Sequence, residues 1–370
     1  MQMQGTSSLH ESYPYPDSDS DSEEGISKLF PISDSPPEHA RYLISDRANF
    51  ENRYEFSPVV QIMQIFIGFT NIKGQVPSCS KQEYLIKNVC EYENFDLRSF
   101  SDCRVLILIH GFTVDYQGAL EMLWKVSAKA KKCYDVIIGY LYPACAKVYE
   151  YTQAEKNGLR AAEQRLPPIL SSIRSVAKQV DIAAHSLGTV VAMHALNQSD
   201  SPRIDNLFLL GGAIEETSIF ECDDRGCTTL KQALFKAKKI YVFYSCKDKV
   251  LPWRRLVDPS QPLGILDKAV QQYPIAKNVC LIDATPVVKG HRAYFDCLAV
   301  YKFFKLIVKK GVRLQHTSFS LTKTELISSE EPTVCVKGGS KNVTTGMFKK
   351  IVSFKFKRDK RADDKALKDA

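Results

Sequence analysis

Seven short apolar runs, each separated from the next by a helix-sized interval, set the strongest limit on what this sequence can fold into. They are Val59–Gly68, Arg104–His110, Tyr134–Leu141, Val180–His185, Asn206–Gly211, Ile240–Ser245 and Asn278–Asp283. Arg104-Val-Leu-Ile-Leu-Ile-His110 is the clearest of them. It is an unbroken leucine and β-branched stretch, as a strand covered on both faces requires. Between the runs, Asp115 to Lys131 reads as a helix with Leu120, Leu123 and Val126 on its apolar side. Ala299 to Lys310 reads as a closing amphipathic helix. Such alternation predicts an α/β fold: a doubly wound, mostly parallel sheet with helices on both faces, and neither a repeat array nor a barrel.

The ends of the chain differ from this middle. Residues 1–58 hold eleven acidic side chains against four basic ones, and residues 301–370 hold seventeen basic against seven acidic. The run Asp17-Ser-Asp-Ser-Asp-Ser-Glu-Glu24 cannot bury enough apolar surface to offset its ordering entropy. We therefore expect a disordered acidic segment over 1–57, a folded domain over 58–312, and a basic, largely disordered tail over 313–370. One strand-like piece, Ile351 to Phe356, lies within that tail. Lys349 to Lys368 carries enough charge to neutralise phosphates on nucleic acid or an anionic membrane. Only Phe354 and Phe356 interleave with it, so a solvated tail is the expectation.

Eleven cysteines without a CxxC pair or a zinc-like Cys/His spacing read as reduced thiols in a cytoplasmic protein with no metal. Cys222 and Cys227, flanking an Asp-Asp-Arg-Gly turn, are the pair closest in sequence to a possible bridge. The first residues lack a basic region followed by an apolar one, so no secretory signal is expected. Val59 to Phe69 is too short to cross a bilayer.

The chemistry is concentrated in four places. Ala184-His-Ser-Leu-Gly188 lies where a strand ends and a helix begins. Small residues two before and two after Ser186 allow the tight crossing that a nucleophile elbow needs. His110-Gly111-Phe112 follows an earlier strand, where a backbone N–H of Phe112 can join that of Leu187 in an oxyanion hole. His110 itself is expected to hold its loop by hydrogen bonds. Asp248, in Tyr244-Ser-Cys-Lys-Asp248, is the candidate acid, with Glu215 and Glu216 as competitors. His291, in the loop before the last helix, is the candidate base. The order serine, acid, histidine selects Asp248 over the glutamates.

With these motifs in hand, the chain is similar to the α/β-hydrolase superfamily, and more narrowly to a bacterial family of α/β-hydrolase proteins of unknown function. The resemblance covers about residues 60 to 310. It rests on Val105-Leu-Ile-Leu-Ile-His-Gly-Phe112, Leu141-Tyr-Pro-Ala144 with Tyr149 and Tyr151, Ala184–Gly188, Tyr244–Asp248 and Gln261-Pro-Leu-Gly264. It implies a serine hydrolase fold and no particular substrate; the serine, acid and histidine set points to a small ester or lipid-like acyl substrate and requires no cofactor or metal. The chain has Tyr142-Pro143-Ala144 where the family tends to have Trp-Pro-Ser, and Ala213-Ile-Glu-Glu216 where the family has an aspartate. Both segments are expected to line the pocket, with Tyr142 as a substrate contact. The stretch from Tyr140 to Pro168 reads as a crossover helix, with a lid as its rival. The competing functional class is a catalytically inactive member of the fold that works through its charged ends.

Overall fold

The leucine and β-branched runs become strands in the structure, a computed structural model that describes residues 40–70, 81–221, 230–256, 260–266, 274–314, 317–328 and 353–355. In chain order the strands are Ala40–Arg47 (β1), Phe56–Thr70 (β2), Lys81–Glu91 (β3), Arg104–Ile109 (β4), Val136–Leu141 (β5) and Gln179–His185 (β6). Ile204–Leu210 (β7), Ala237–Tyr244 (β8), Val279–Asp283 (β9), Ser318–Leu321 (β10), Glu325–Ser328 (β11) and Ser353–Lys355 (β12) follow. The helices are Tyr116–Ala130 (α1), Tyr151–Arg160 (α2), Leu166–Val176 (α3), Gly188–Asn197 (α4), Lys231–Lys236 (α5) and Leu298–Phe304 (α6).

Among the described residues the strands form one sheet in the order β12-β11-β10-β9-β8-β7-β6-β4-β5-β1-β2-β3. From β10 through to β1 every neighbouring pair is parallel. The turn back to antiparallel comes at β1–β2 on one side and β10–β11–β12 on the other. The chain divides into two compact units, Met1–Pro36 with Gly68–Glu83, and Pro37–Ile67 with Tyr84–Ala370. Of the first, only the ends of β2 and β3 are described. All that follows concerns the second.

Alternation along β4 sorts the core into two layers. Val105, Ile107 and Ile109 pack with Ile169, Leu170 and Ile173 of α3 and Val191 of α4. Leu106 and Leu108 pack with Leu120 and Leu123 of α1 and Phe303 and Phe304 of α6. Helix α1 begins where the Asp115 carboxylate accepts the Gly118 N–H at 2.7 Å, which satisfies one of the free donors of the first turn. Tyr140 to Pro168 serves as a crossover on the sheet face: Ala154, Ala161, Ala162 and Leu166 are buried against the core.

Two expected boundaries are corrected. The folded domain does not start at residue 58, because β1 pairs with β5 from Ala40↔Val136 to Ser45↔Leu141 and six of its residues are buried. The sequence hides it behind Asp46 and Arg47, which are fully buried. Asp46 takes a hydrogen bond from the Tyr140 hydroxyl, and burial pushes its carboxyl up to about 6. Nor does the fold stop at 312, since β10 extends the parallel core beside β9. The acidic run 17–24, Cys222 with Cys227, and the basic stretch 349–368 apart from Ser353–Lys355 lie outside the described residues.

Asp181, inside β6, is a second buried carboxyl. Burial raises it to about 7, against hydrogen bonds from Tyr134, Asn206 and Gln179. The folded chain thus keeps a proton that the unfolded chain releases near pH 4, so stability falls as pH rises from about 4 to about 7. Asp181→Asn is expected to flatten that slope. Thermal unfolding between those limits would test it, an unchanged slope counting against the assignment.

Candidate active site

The elbow is built by strain that the surrounding backbone holds in place. Ser186 follows β6 with φ +54°, a left-handed conformation that a non-glycine residue adopts only at a cost of about 1–3 kcal/mol. Its N–H donates to the Leu210 carbonyl at 3.1 Å. Its own carbonyl accepts from the N–H groups of Thr189 and Ala213 and from the Thr189 hydroxyl, the last at 2.7 Å. Gly188 begins α4 directly over the end of β4, and a Cβ there would lie 2.5 Å from the carbonyl oxygens of both Ile109 and His110. Because those contacts are backbone, Gly188→Ala is expected to cost about 3 kcal/mol or more, lowering Tm by about 5 °C or more. A Tm within a degree of wild type would show that the crossing can spread.

The loop after β4 lies against the serine. A Cβ on Gly111 would sit 2.9 Å from the Ser186 Cβ, so only glycine permits this approach. Beyond it, neither the Phe112 N–H nor the Leu187 N–H is taken up by a hydrogen bond among the described residues. His110 is fully buried and holds the loop, as expected. Its Nδ1 contacts the Gly111 carbonyl at 2.8 Å, and its Nε2 accepts the Tyr142 N–H at 3.2 Å. Burial pulls its pKa down to about 3, which keeps the ring neutral.

Tyr142 is not a pocket wall. It is 0% exposed, its ring stacks on His110 at 4.4 Å, and its hydroxyl donates to the His110 carbonyl at 3.3 Å. No surface of it remains for a ligand. Arg47, missed in the sequence, does more for this loop. It is fully buried and donates to the carbonyls of Tyr142 at 3.1 Å, Val114 at 2.6 Å and Phe50 at 3.5 Å. It thereby ties the segments after β4 and β5 to the end of β1. Nothing local in the sequence signals this, because the two partners that tie the loops, Tyr142 and Val114, are carbonyls remote along the chain.

Asp248 and His291 are brought together. His291 Nδ1 lies 2.6 Å from Asp248 Oδ2, and Asp248 Oδ1 accepts the N–H groups of Val250 and Leu251 at 2.9 and 3.2 Å. Burial alone would raise the Asp248 carboxyl. The His291 contact and the two N–H groups outweigh it and hold the acid below its ordinary range. The competing Glu215 is turned elsewhere, accepting from the Thr217 hydroxyl at 3.0 Å, and the backbone of Glu216 bonds to Gln261.

His185, read only as part of the elbow, links the two halves. Its Nε2 lies 2.8 Å from the His291 carbonyl and its ring packs 4.6 Å from that of His291. Burial lowers its pKa to about 3, so it is a neutral strut. Among the described residues no hydrogen bond joins the Ser186 hydroxyl to His291, a contact that often tightens only around substrate. The described site thus holds an imidazole paired with a buried carboxylate, a serine with a strained backbone, and two N–H groups that no hydrogen bond takes up among the described residues. Among the described residues no group of three His, Cys, Asp or Glu side chains could hold a metal ion.

Residues 91–294, more than half the chain and all of the elements just described from β4 to His291, match the sequence profile of a family described as alpha/beta hydrolase of unknown function (DUF900). The chain belongs to this α/β-hydrolase family. Solved structures similar to this α/β hydrolase include the lin2722 gene product of Listeria innocua, at 11% identity and TM-score 0.37, covering 60% of this chain and 100% of that one. XC6422 of Xanthomonas campestris, described as an α/β serine hydrolase without a lid, is 10% identical at TM-score 0.36, covering 76% and 100%. Est1E of Butyrivibrio proteoclasticus, solved with ferulic acid, is 16% identical at TM-score 0.34, covering 67% and 95%. A search of curated proteins found no match. No helix among the described residues is long and apolar enough to cross a membrane.

Proposed function

We propose that this α/β hydrolase is a serine hydrolase acting on a carboxylic ester or related acyl compound. The observation that carries the reading is the 2.6 Å contact between His291 Nδ1 and the buried Asp248, together with a serine held at φ +54°. His291, oriented by Asp248, takes the Ser186 proton through Nε2 as the serine oxygen attacks the acyl carbonyl. The N–H groups of Leu187 and Phe112 stabilise the tetrahedral oxyanion. His291 then protonates the departing alcohol as the carbon–oxygen bond breaks. Water, deprotonated by the same imidazole, attacks the acyl-enzyme and releases the acid and the free serine. A serine at the elbow, rather than an aspartate, favours this chemistry over carboxylate-nucleophile displacement.

A fluorophosphonate probe tests the reading, since it modifies only an activated serine. Covalent labelling of the full chain, located to Ser186 by peptide mass, is the expected result. A folded protein that takes up no probe and hydrolyses none of a series of p-nitrophenyl esters would instead be an inactive member of the fold.

A further inference from the structure

We propose that the loops around Ser186 form a docking surface for an anionic lipid bilayer, and that the acyl substrate is presented from that bilayer. The contact stands on the residues below alone; its use for substrate rests on the serine-hydrolase reading.

Nine large hydrophobic side chains are exposed among the described residues, and five of them, Tyr54, Val148, Tyr149, Val250 and Trp253, lie in three loops. Single exposed apolar residues are ordinary, but a cluster marks a contact surface. The three loops follow β1, β5 and β8, which run parallel, so they share the carboxyl edge of the sheet with Ser186 and His291. They are also joined to one another. The Tyr54 hydroxyl bonds Glu150 at 3.2 Å, and Arg254 Nη2 reaches Glu155 at 3.5 Å, tying the turn that carries Trp253 to α2. Val148, Tyr149 and Trp253 are 77, 78 and 67% exposed, which leaves nearly the whole of each side chain for a partner.

The rim borders the site on both flanks. Val250 donates its N–H to Asp248 while its side chain points out, and Tyr151 packs edge-on against Phe112 at 5.3 Å. Around this apolar edge stand Lys147, Lys247, Lys249, Arg255, Lys289 and Arg292, all exposed. None of Lys247, Lys249, Arg255, Lys289 and Arg292 is in an ion pair among the described residues. Asp248 is engaged with His291, Glu150 with the N–H groups of Ala146 and Lys147, and Asp283 with that of Thr285, while Glu51 and Glu55 beside Tyr54 are exposed. The result is an apolar edge flanked, on the side of the β8 and β9 loops, by five exposed basic side chains that form no ion pair among the described residues. Aliphatic and indole side chains enter the acyl boundary while lysines meet anionic headgroups. Nucleic acid would share the charge and can stack on Tyr54, Tyr149 and Trp253, but it gains nothing from the exposed Val148 and Val250, which offer no ring.

Co-sedimentation of the full chain with phosphatidylcholine vesicles, alone or with about 30 mol% phosphatidylserine, tests this. We expect retention on the anionic vesicles, an about tenfold lower partition for Trp253→Ala, and a larger loss for Lys247→Glu combined with Lys249→Glu. Thermal unfolding of both variants checks that they fold. Failure of the wild type to bind, tighter binding to single-stranded RNA than to vesicles, or retention unchanged in both variants would overturn the proposal. The last result would move the contact to other basic segments, such as residues 349–368. Hydrolysis of soluble p-nitrophenyl acetate, measured in parallel, separates the two readings. Hydrolysis without vesicle binding removes the docking surface alone, and vesicle binding without hydrolysis removes the serine-hydrolase reading and substrate presentation with it.

Discussion

Ser186→Ala is expected to lower kcat/KM for a short-chain p-nitrophenyl ester by about 10⁵-fold and to abolish fluorophosphonate labelling. The size of the effect follows from what the change removes and what it leaves. The hydroxyl is the attacking atom, and without it the remaining N–H groups can only assist direct attack by water. The Cβ that meets Gly111 is retained, as are all four backbone hydrogen bonds that hold the elbow. Tm should therefore stay within about 2 °C, or rise slightly, because the substitution keeps the same backbone and removes only one buried polar atom. A rate reduced by less than about tenfold, with labelling intact, would place the nucleophile elsewhere.

Asp248→Asn should reduce kcat by about 10⁴-fold while KM changes little. The two oxygens of Asp248 have different tasks, so the amide can satisfy only one of them. Its carbonyl replaces Oδ1 in accepting from Val250 and Leu251, which places NH₂ opposite His291 Nδ1. An amide donor there selects the tautomer with hydrogen on Nε2, the form that cannot take a proton from serine. The wild-type acid behaves oppositely. Because its carboxyl is held below the ordinary range, it stays ionised at every pH above about 4, and its stabilising contribution is lost only as pH falls below that. The wild-type rate should thus show no acid limb from Asp248 at any pH above about 5. An Asn variant with more than about a tenth of the wild-type kcat would remove Asp248 from the orienting role.

Much of this architecture is legible in the sequence because the central strands are covered on both faces. Such strands are apolar throughout, so β4 to β9 each announce themselves without help from distant residues. The order Ser186, Asp248, His291 is legible for a similar reason: each lies in a turn just after a strand, where topology confines it to one edge of the sheet. The outer strands obey other rules. Lys81–Glu91 mixes charge with apolar residues because it lies at the end of the sheet order, and Ala40–Arg47 hides two ionisable groups whose partners come from β5 and from loops far along the chain. Tyr142 stands out in the sequence only through its place in a motif, whereas packing decides its role. Its ring serves His110, and His110 serves the loop.

The end of β1 has a wider meaning for what counts as the smallest working piece of this molecule. Shared ancestry is recognisable from residue 91 onward, yet the guanidinium that ties down Val114 and Tyr142 belongs to residue 47. A chain trimmed to the recognisable portion would lose the parallel neighbour of β5 and, with it, the anchor of the loop that faces Ser186. Descent and mechanical integrity therefore draw different borders around the same fold, and the mechanical one takes in residues from at least Ala40, about fifty earlier.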